Sequence, residues 1–313
     1  MSDKQFTYGG QAVLEGVMMR GLRQATIAVR APSGEIVFRH EPLNSERRRV
    51  WETMPFLRGI LMLWDALNLG VRALNFSASA ALGEEEQQQS KGAVALTLIV
   101  SLAFAFGLFF VTPLLIASLL ERAGATPLLR DAAEGFIQLG IFIGYLLIIG
   151  RVPDIQRVFG YHGAEHKAIN AYESGAPLTV ESVRTFTLIH PRCGTSFLLV
   201  VVVLSIPFFA LFSGLPLGER LLSRFVLVPV IAAVSYELLR LSAANVHRSW
   251  VRRLVAPSLA LQRLTTREPD DTMIAVAIAA LIPVLAADGV VPAVFDPSLA
   301  DGARRSPVDA ALA

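Results

Sequence analysis

Two short segments concentrate the side chains of this chain that could do chemistry. The first, Tyr161–Lys167, contains the order His-x-x-Glu-His, and the second, His190–Ser196, contains the only cysteine. In a helix, His162 and His166 lie one turn apart on one face, which is the spacing that two ligands need to bind one ion. His-x-x-Glu-His is the inverted zincin pattern, in which two histidines hold zinc and the glutamate is the general base. The pattern predicts Glu165 as that base, whereas two surface histidines are the plainer alternative.

His190 and Cys193 add two further candidate ligands. The order His-Pro-Arg-Cys places an imidazole and a thiol three residues apart, and both groups bind zinc or iron well. If both join His162 and His166, the tetrahedron is closed and the metal is structural. If only one joins them, a position stays open for a water on which Glu165 can act. The sequence predicts a divalent transition metal, zinc by ligand type, and leaves these two arrangements open.

Cys193 also has two roles that need no metal. It directly precedes an apolar run, so Thr195 or Ser196 could cap a helix there, and a helix N-terminus favours the reactive thiolate. His190 or His166 would then serve as its base. A small buried residue at the start of a helix is the plainer interpretation.

Two glutamates rank below these residues as site candidates. Glu237 lies near the end of an apolar run, where a carboxylate at membrane depth indicates function, either as a further metal ligand or in a pair with Arg240. Glu15 lies in the glycine-rich segment Gly9–Gly21. Its glycines indicate a close backbone approach to the metal segment or to a ligand, although a tight turn is the plainer interpretation.

The composition indicates a membrane protein. Of 313 residues, 53% are hydrophobic and 17% are charged, whereas a soluble domain carries about 25% charged residues. About 20 apolar residues cross a bilayer, and four long apolar runs are present: Gly92–Leu120, Gly135–Gly150, Ser196–Gly218 and Phe225–Leu239. The predicted fold class is mainly α, a polytopic membrane helix bundle of about four spans with membrane lipid as its surroundings. Scattered basic residues exclude a nucleic-acid partner, and a homo-oligomer stays open.

Basic residues predict the orientation of these spans. The segment before the first run holds 11 Lys and Arg, and the following loops hold two, five, two and six in turn. This alternation is what the positive-inside rule predicts when both termini and residues 151–195 are cytoplasmic. We therefore expect a multi-pass membrane protein with both termini cytoplasmic.

The remaining segments are assigned by pattern. Thr26–Ala31 and Ile36–His40 flank a Pro/Gly turn and predict a β-hairpin. Charges recur about every seven residues in 51–82, which indicates an amphipathic helix on the membrane or against the bundle. The predicted divisions are an N-terminal segment 1–50 with the hairpin, the helix 51–82, a linker 83–91, a four-span bundle 92–255 with a cytoplasmic metal loop 151–195, a C-terminal helix 256–288 and a flexible tail 289–313.

Met273–Ala287 is apolar on every face and is hard to assign. A fifth span is possible by composition, but no basic residue anchors its far end between Ala287 and Val290. We favour a buried or interfacial helix over a fifth span.

Four motifs together resemble a known family. Gly9–Gly21, Tyr161–Lys167, His190–Phe197 and Leu264–Asp270 closely resemble the YqhQ-like bacterial membrane proteins (domain of unknown function 1385), over roughly residues 8 to 287. The resemblance implies a bacterial membrane protein with the label of a metal-dependent enzyme, a label that rests on the same His, Glu and Cys motifs. One departure is the helix after Asp271, which is usually charged and amphipathic in the family and is nearly all apolar here.

Two functions of different classes follow. The leading expectation is a metal-dependent hydrolase that cleaves a peptide or lipid-linked bond near the membrane surface. The alternative is a non-enzymatic scaffold or transporter subunit, in which a structural metal fastens residues 151–195 to the bundle. A closed site of three histidines and one cysteine would favour the alternative.

Overall fold

The computed structural model describes residues 8–44, 50, 53–54, 56–83 and 91–290. The described chain is mainly helical, with a small antiparallel sheet at its N-terminal end. Most of the predicted linker 83–91 and of the predicted tail 289–313 lies outside the described residues, as do Trp51 and Glu52 at the start of the predicted amphipathic helix.

The sheet has four strands in sequential order, each antiparallel to the next. The strands are β1 (Gly9–Val13), β2 (Gly16–Arg20), β3 (Gln24–Arg30) and β4 (Ile36–Pro42). The predicted hairpin is confirmed as β3 and β4. The glycine-rich segment forms a further hairpin, β1 and β2, which the sequence analysis treated only as a turn or a close approach.

The helices follow the sheet in the chain. They are α1 (Leu57–Leu82), α2 (Lys91–Phe106), α3 (Thr112–Arg122), α4 (Pro127–Ile149), α5 (Pro153–Glu173), α6 (Val180–Arg184), α7 (Gly194–Ala210), α8 (Leu217–Ala244), α9 (Ser249–Thr265) and α10 (Asp271–Ala287). A π-helical turn, Gly107–Val111, joins α2 and α3 into one long helix. Side-chain caps fix three helix starts: Thr126 accepts a main-chain N–H at α4, Thr179 at α6 and Asp270 at α10.

Helix α10 forms the centre of the layer that contains the sheet, α5 and α6. It packs against β2, β3, α5 and α6, and every residue from Ile274 to Leu281 is buried except the half-buried Ala275. A helix that is surrounded on all sides needs apolar residues on all sides, which explains its composition. The preferred prediction, a buried helix, is confirmed.

Among the described residues, three helices are long and apolar enough to cross a membrane: Gly92–Arg122, Pro127–Ile149 and Leu217–Ala244. The predicted third span, Ser196–Gly218, folds instead as the 17-residue helix α7. At about 1.5 Å per residue it is roughly 26 Å long, which is shorter than the hydrocarbon layer of about 30 Å. The structure therefore supports three candidate spans and a shorter apolar helix packed between α4 and α8.

A buried charge network joins these helices at the end away from the sheet. Its members are three arginines and three acids: Arg130, Arg220, Arg224, Glu121, Asp131 and Glu134. Glu134 receives hydrogen bonds from both Arg220 and Arg224, and the Arg224 guanidinium also stacks 4.1 Å from the Phe209 ring. Three of the four basic residues predicted for this side, Arg130, Arg220 and Arg224, are therefore paired, and their charges link α3, α4 and α8.

Helix α1 has two faces with different partners. Its three described charges pair with the rest of the protein: Arg58 with Glu237, Asp65 with Arg20, and Arg72 with Glu41. The charged side chains, which are spaced seven residues apart, therefore face β2, β4 and α8. The opposite face exposes large apolar side chains at helical spacing: Leu57, Ile60, Trp64, Leu67 and Leu74. This agrees with an amphipathic helix that packs against the protein and presents an apolar stripe outwards.

We predict that Glu134→Ala strongly destabilises the bundle. It leaves the Arg220 and Arg224 guanidiniums buried without their shared carboxylate, and breaking a buried ion pair in this way costs about 3–5 kcal/mol. The free energy of unfolding in detergent micelles measures the loss. Glu219→Ala, at the exposed first turn of α8, is the control and should stay within about 0.5 kcal/mol of wild type. Equal stabilities of the two variants would contradict the prediction.

Candidate metal centre

Three of the predicted site residues converge in the structure. One ring nitrogen of His162, one of His166 and the Cys193 sulfur all lie within 4.8 Å of one another. The two imidazoles come from successive turns of α5, with ring centroids 4.4 Å apart, and Cys193 occupies the N-cap of α7. These atom types, at this separation, can share one transition-metal ion.

Main-chain carbonyl groups fix the orientation of both imidazoles. His162 Nδ1 lies 2.8 Å from the carbonyl oxygen of Thr265, and His166 Nδ1 lies 2.5 Å from that of Leu188. A carbonyl only accepts a hydrogen bond, so each Nδ1 carries the proton. The Nε2 lone pairs are then left for the cluster. Metal-binding histidines have this arrangement, because an outer hydrogen bond fixes the ring and raises its basicity.

Gly163 allows the chain after α9 to lie directly against α5. A Cβ atom at this position would be 2.2 Å from the carbonyl oxygen of Arg267, which no side chain tolerates. The Arg267 N–H donates to the Phe159 carbonyl at 2.9 Å in the same contact. The segment is thereby held where the Thr265 carbonyl meets His162.

The chain before Cys193 is fastened to α5 by polar side chains of the helix. Lys167 donates to the carbonyl of Arg184 and pairs with Glu268, while Asn170 donates to the carbonyls of Thr187 and Ile189. These bonds hold the Leu188 carbonyl in line with His166. Residues 151–195, predicted as the connection between two spans, contain the helices α5 and α6.

Gln262 is a positioning residue that the sequence analysis missed. It is fully buried on α9, accepts a hydrogen bond from the His190 N–H at 2.9 Å and donates to the His190 carbonyl at 2.8 Å. It also donates to Ser196 at 3.1 Å. One amide thus holds both sides of the turn that carries Cys193. No local pattern distinguishes this glutamine from an exposed one.

His190 lies beside the cluster and faces another group. Its ring centroid is 5.7 Å from that of His166, and its Nε2 lies 3.6 Å from Glu173 and 3.4 Å from Arg192. Burial raises the pKa of Glu173, but the hydrogen bond with His190 and the charge of Arg192 outweigh burial and hold it below its usual range. Within the described residues, the group of converging ligands contains Cys193 and not His190.

Glu165 points to the side of α5 that faces the sheet. Its side chain is 5% exposed, and its Cγ would lie 2.8 Å from a Cβ atom at Gly10 of β1. Only a glycine fits there, so the glycine-rich segment does approach α5 closely. No described residue donates a hydrogen bond to the Glu165 carboxylate, which is therefore a nearly buried acid next to His166 without a protein partner.

Cys193 is held between two polar groups. Its sulfur lies 3.2 Å from His162 Nε2 and 3.1 Å from the Thr195 hydroxyl, and its side chain is 5% exposed. The expected base of a thiol nucleophile was His190 or His166, whereas the nearest imidazole is that of His162. A buried sulfur between two partners fits a ligand better than a nucleophile that must meet a substrate.

Glu15 and Glu237 both form ion pairs away from the cluster. Glu15 is paired with Arg157, accepts a hydrogen bond from Tyr161 at 3.3 Å and has the left-handed backbone of a tight turn, with φ 50°. Glu237 pairs with Arg58 of α1 and accepts the Phe56 N–H at 3.3 Å. Glu237 was expected to bind the metal or to pair with Arg240; its hydrogen-bonded partner is Arg58 of α1, and the group of converging ligands among the described residues does not contain it.

Comparisons with known proteins place the site in a family. The family model "Protein of unknown function (DUF1385)" matches residues 54–287, which include α5, Cys193 and the segment after α9. The chain belongs to the DUF1385 family. It is 36% identical to "Uncharacterized protein YqhQ" of Bacillus subtilis (strain 168) over 286 residues, which cover 87% of this chain and 90% of the relative. No solved structure matches. The resemblance drawn from the four motifs is confirmed.

The Glu15–Arg157 pair makes a pH-dependent contribution to stability. The hydrogen bond from Arg157 lowers the pKa of Glu15 below its ordinary value of 4.5. A carboxyl whose folded pKa is lowered stabilises the fold above its unfolded pKa, and this stabilisation is lost as the pH falls through the folded pKa. We therefore expect Glu15→Gln to unfold at a lower temperature than wild type at pH 7, with a difference that shrinks below about pH 4.5.

Thermal unfolding of the two proteins between pH 3 and pH 8 measures this difference. Glu35→Gln, at an exposed turn of the same sheet, is the control and should track wild type throughout. A Glu15→Gln deficit that stays constant down to pH 3 would show that the ion pair is not its cause.

Proposed function

We propose that this chain is a metal-dependent hydrolase of the bacterial inner membrane, with zinc bound by His162, His166 and Cys193. The observation that carries the proposal is the number of converging ligands. Structural zinc sites use four protein ligands, whereas catalytic sites use three and keep a position for water. Three ligand atoms meet here, and His190 Nε2 faces Glu173 instead. The geometry therefore favours the open arrangement.

Glu165 is the proposed general base. A base for a metal-bound water needs a carboxylate beside the ligands that is not already neutralised by a cation. Glu165 is nearly buried, has no ion pair among the described residues and lies between His162 and His166 in the sequence of α5. Its side chain packs against Gly10 of β1, so its carboxylate would have to turn towards the ligands to act on the water. Glu173, the other acid near the cluster, is occupied by Arg192 and His190. The bond that is cleaved would be a peptide or lipid-linked bond near the membrane surface.

The proposed orientation places the metal centre on the cytoplasmic side. We count four membrane passages, of which α7 is the third. The sheet, α5, α10 and both termini then lie on one side of the membrane. That side carries most of the basic residues, which is typical of the cytoplasmic side. Helix α7 is short, and its start at Cys193 would lie close to the level of the lipid head groups. The centre would thus lie at the membrane surface, where a lipid-linked substrate is within its range.

A structural metal is the second candidate, and one observation favours it. The ligands come from two different elements, α5 and the start of α7, so a metal would fasten the cytoplasmic layer to a membrane helix. A scaffold or transporter subunit would use the ion in this way. Such a site needs a fourth protein ligand, and His190 is the residue that would have to turn to provide it.

Metal content tests the proposed centre. We expect about one zinc per chain by mass spectrometry of detergent-purified protein, and less than a tenth of this in His166→Ala or Cys193→Ser, because two ligands hold zinc weakly. His247→Ala, at an exposed position without a described partner, is the control. His190→Gln should retain the metal. Loss of metal in His190→Gln, at an unchanged unfolding temperature, would favour the closed structural site.

Replacement of the base tests the enzyme itself. Glu165→Gln keeps the shape of the side chain but removes its ability to take a proton, and loss of a general base lowers rates about 10²- to 10⁴-fold. We expect this variant to bind zinc normally and to fail to complement deletion of the gene. A Glu165→Gln variant that binds zinc and complements fully would leave only the structural role of the metal.

A further inference from the structure

A cavity of about 300 Å³ lies between the sheet and the membrane-type helices. Strands β1 and β2 form one wall, α1 forms the other, and Tyr236 of α8 closes one end. Most of its lining side chains are apolar: Met18, Met62, Leu63, Ala66 and Leu69. The neighbouring ion pair of Arg20 and Asp65 lies where β2 meets α1.

Polar groups without protein partners face this apolar lining. The Nε–H of Arg20 is buried and has no hydrogen-bond acceptor among the described residues, although the outer nitrogen of the same guanidinium pairs with Asp65. Within the same described part of the chain, no hydrogen bond engages the Gln11 amide or the Tyr236 hydroxyl, which also line the cavity. An apolar pocket with a few convergent polar groups is the usual form of a small-molecule site.

The position of the cavity indicates where its ligand comes from. Helix α1 separates it from the apolar stripe that contains Leu57, Ile60 and Trp64, which are exposed on the outer face of the helix. A helix of this kind lies in the membrane interface with its apolar face in lipid. Helix α1 thus separates the cavity from the acyl chains of the bilayer. The cavity lies at the depth of the membrane interface, where the polar head of an amphiphile and the start of its chain are both found.

We propose that this cavity binds a single-chain amphiphile from the membrane, with an oxygen-rich head group of the carboxylate or phosphate class. The volume is at the lower end of the range of about 300–1,000 Å³ that is typical of ligand pockets, so it accommodates one chain rather than two. The chain contacts the methionines and leucines, and the head oxygens accept hydrogen bonds from Arg20 Nε, the Gln11 amide and the Tyr236 hydroxyl.

The cavity and the Glu165 side chain meet at Gly10. This glycine lines the cavity, and its missing Cβ makes room for the Glu165 side chain on the side of α5. A head group bound at β1 therefore lies next to the proposed general base. The identification of the bound amphiphile as the substrate rests on the proposed function. Binding of the amphiphile in the cavity needs no metal and does not depend on that function.

Photocrosslinking with a diazirine-bearing dodecanoate tests the binding site in the purified full-length protein. We expect label on the peptides that contain residues 11–20 and 62–69, and at least a fivefold reduction by excess dodecanoate or by excess lauroyl lysophosphatidylglycerol. The more effective competitor identifies a carboxylate or a phosphate head. Dodecane, which has a chain and no head, should not compete.

Two variants and a matched control separate the cavity from the lipid surface. Ala66→Trp fills the cavity and should reduce this label about tenfold, whereas Leu67→Trp, on the exposed face of the same helix, should not. If Ala66→Trp does not fold, Gln11→Leu provides the second variant and should weaken competition by dodecanoate about fivefold. Label that is spread evenly over the exposed apolar helices and unchanged by these variants would overturn the inference.

The same experiment on chelator-treated protein distinguishes this inference from the proposed function. Cavity labelling that persists without metal supports the lipid site whatever the role of the ion. Protein that contains one zinc per chain and shows no cavity labelling keeps the proposed hydrolase and removes the single-chain lipid as its substrate.

Discussion

The arrangement of the site depends on one requirement: the two adjacent imidazoles of α5 must each donate a hydrogen bond away from one another. The carbonyls of Thr265 and Leu188 accept these bonds, and this leaves two Nε2 lone pairs beside the Cys193 sulfur. A buried N–H without an acceptor costs about 1–3 kcal/mol, so the chain must supply both carbonyls. Much of the surrounding structure serves to hold these two carbonyls in place.

The two carbonyls belong to two distant segments of the chain, one before Cys193 and one at the end of α9, and both segments are held against α5. Lys167 and Asn170 bind the main chain before Cys193, and the absence of a side chain at Gly163 admits the main chain after α9. Gln262 then joins the two segments by binding both main-chain groups of His190. Helix α10 packs against α5 through apolar contacts, so the helix that carries both imidazoles rests on the hydrophobic core.

The sequence was sufficient for features that follow from local periodicity. Residues four apart in a helix must share a face, so the meeting of His162 and His166 could be predicted, as could the burial of a helix that is apolar all round, Met273–Ala287. The third member of the group, Cys193 rather than His190, could not be predicted. It depends on Gln262, 72 positions from His190, and on Glu173. The β1–β2 hairpin was missed because glycines obscure its strand pattern, and the Arg58 partner of Glu237 lies 179 positions distant.

X-ray absorption at the zinc edge of the purified protein tests the three-ligand centre most directly. The proposed zinc site predicts one sulfur at about 2.3 Å and two imidazole nitrogens at about 2.0 Å, with one further light atom from water. Cys193→Ser should remove the sulfur shell and His190→Gln should leave the spectrum unchanged. A spectrum with three imidazoles and one sulfur, or one without sulfur, would contradict the account.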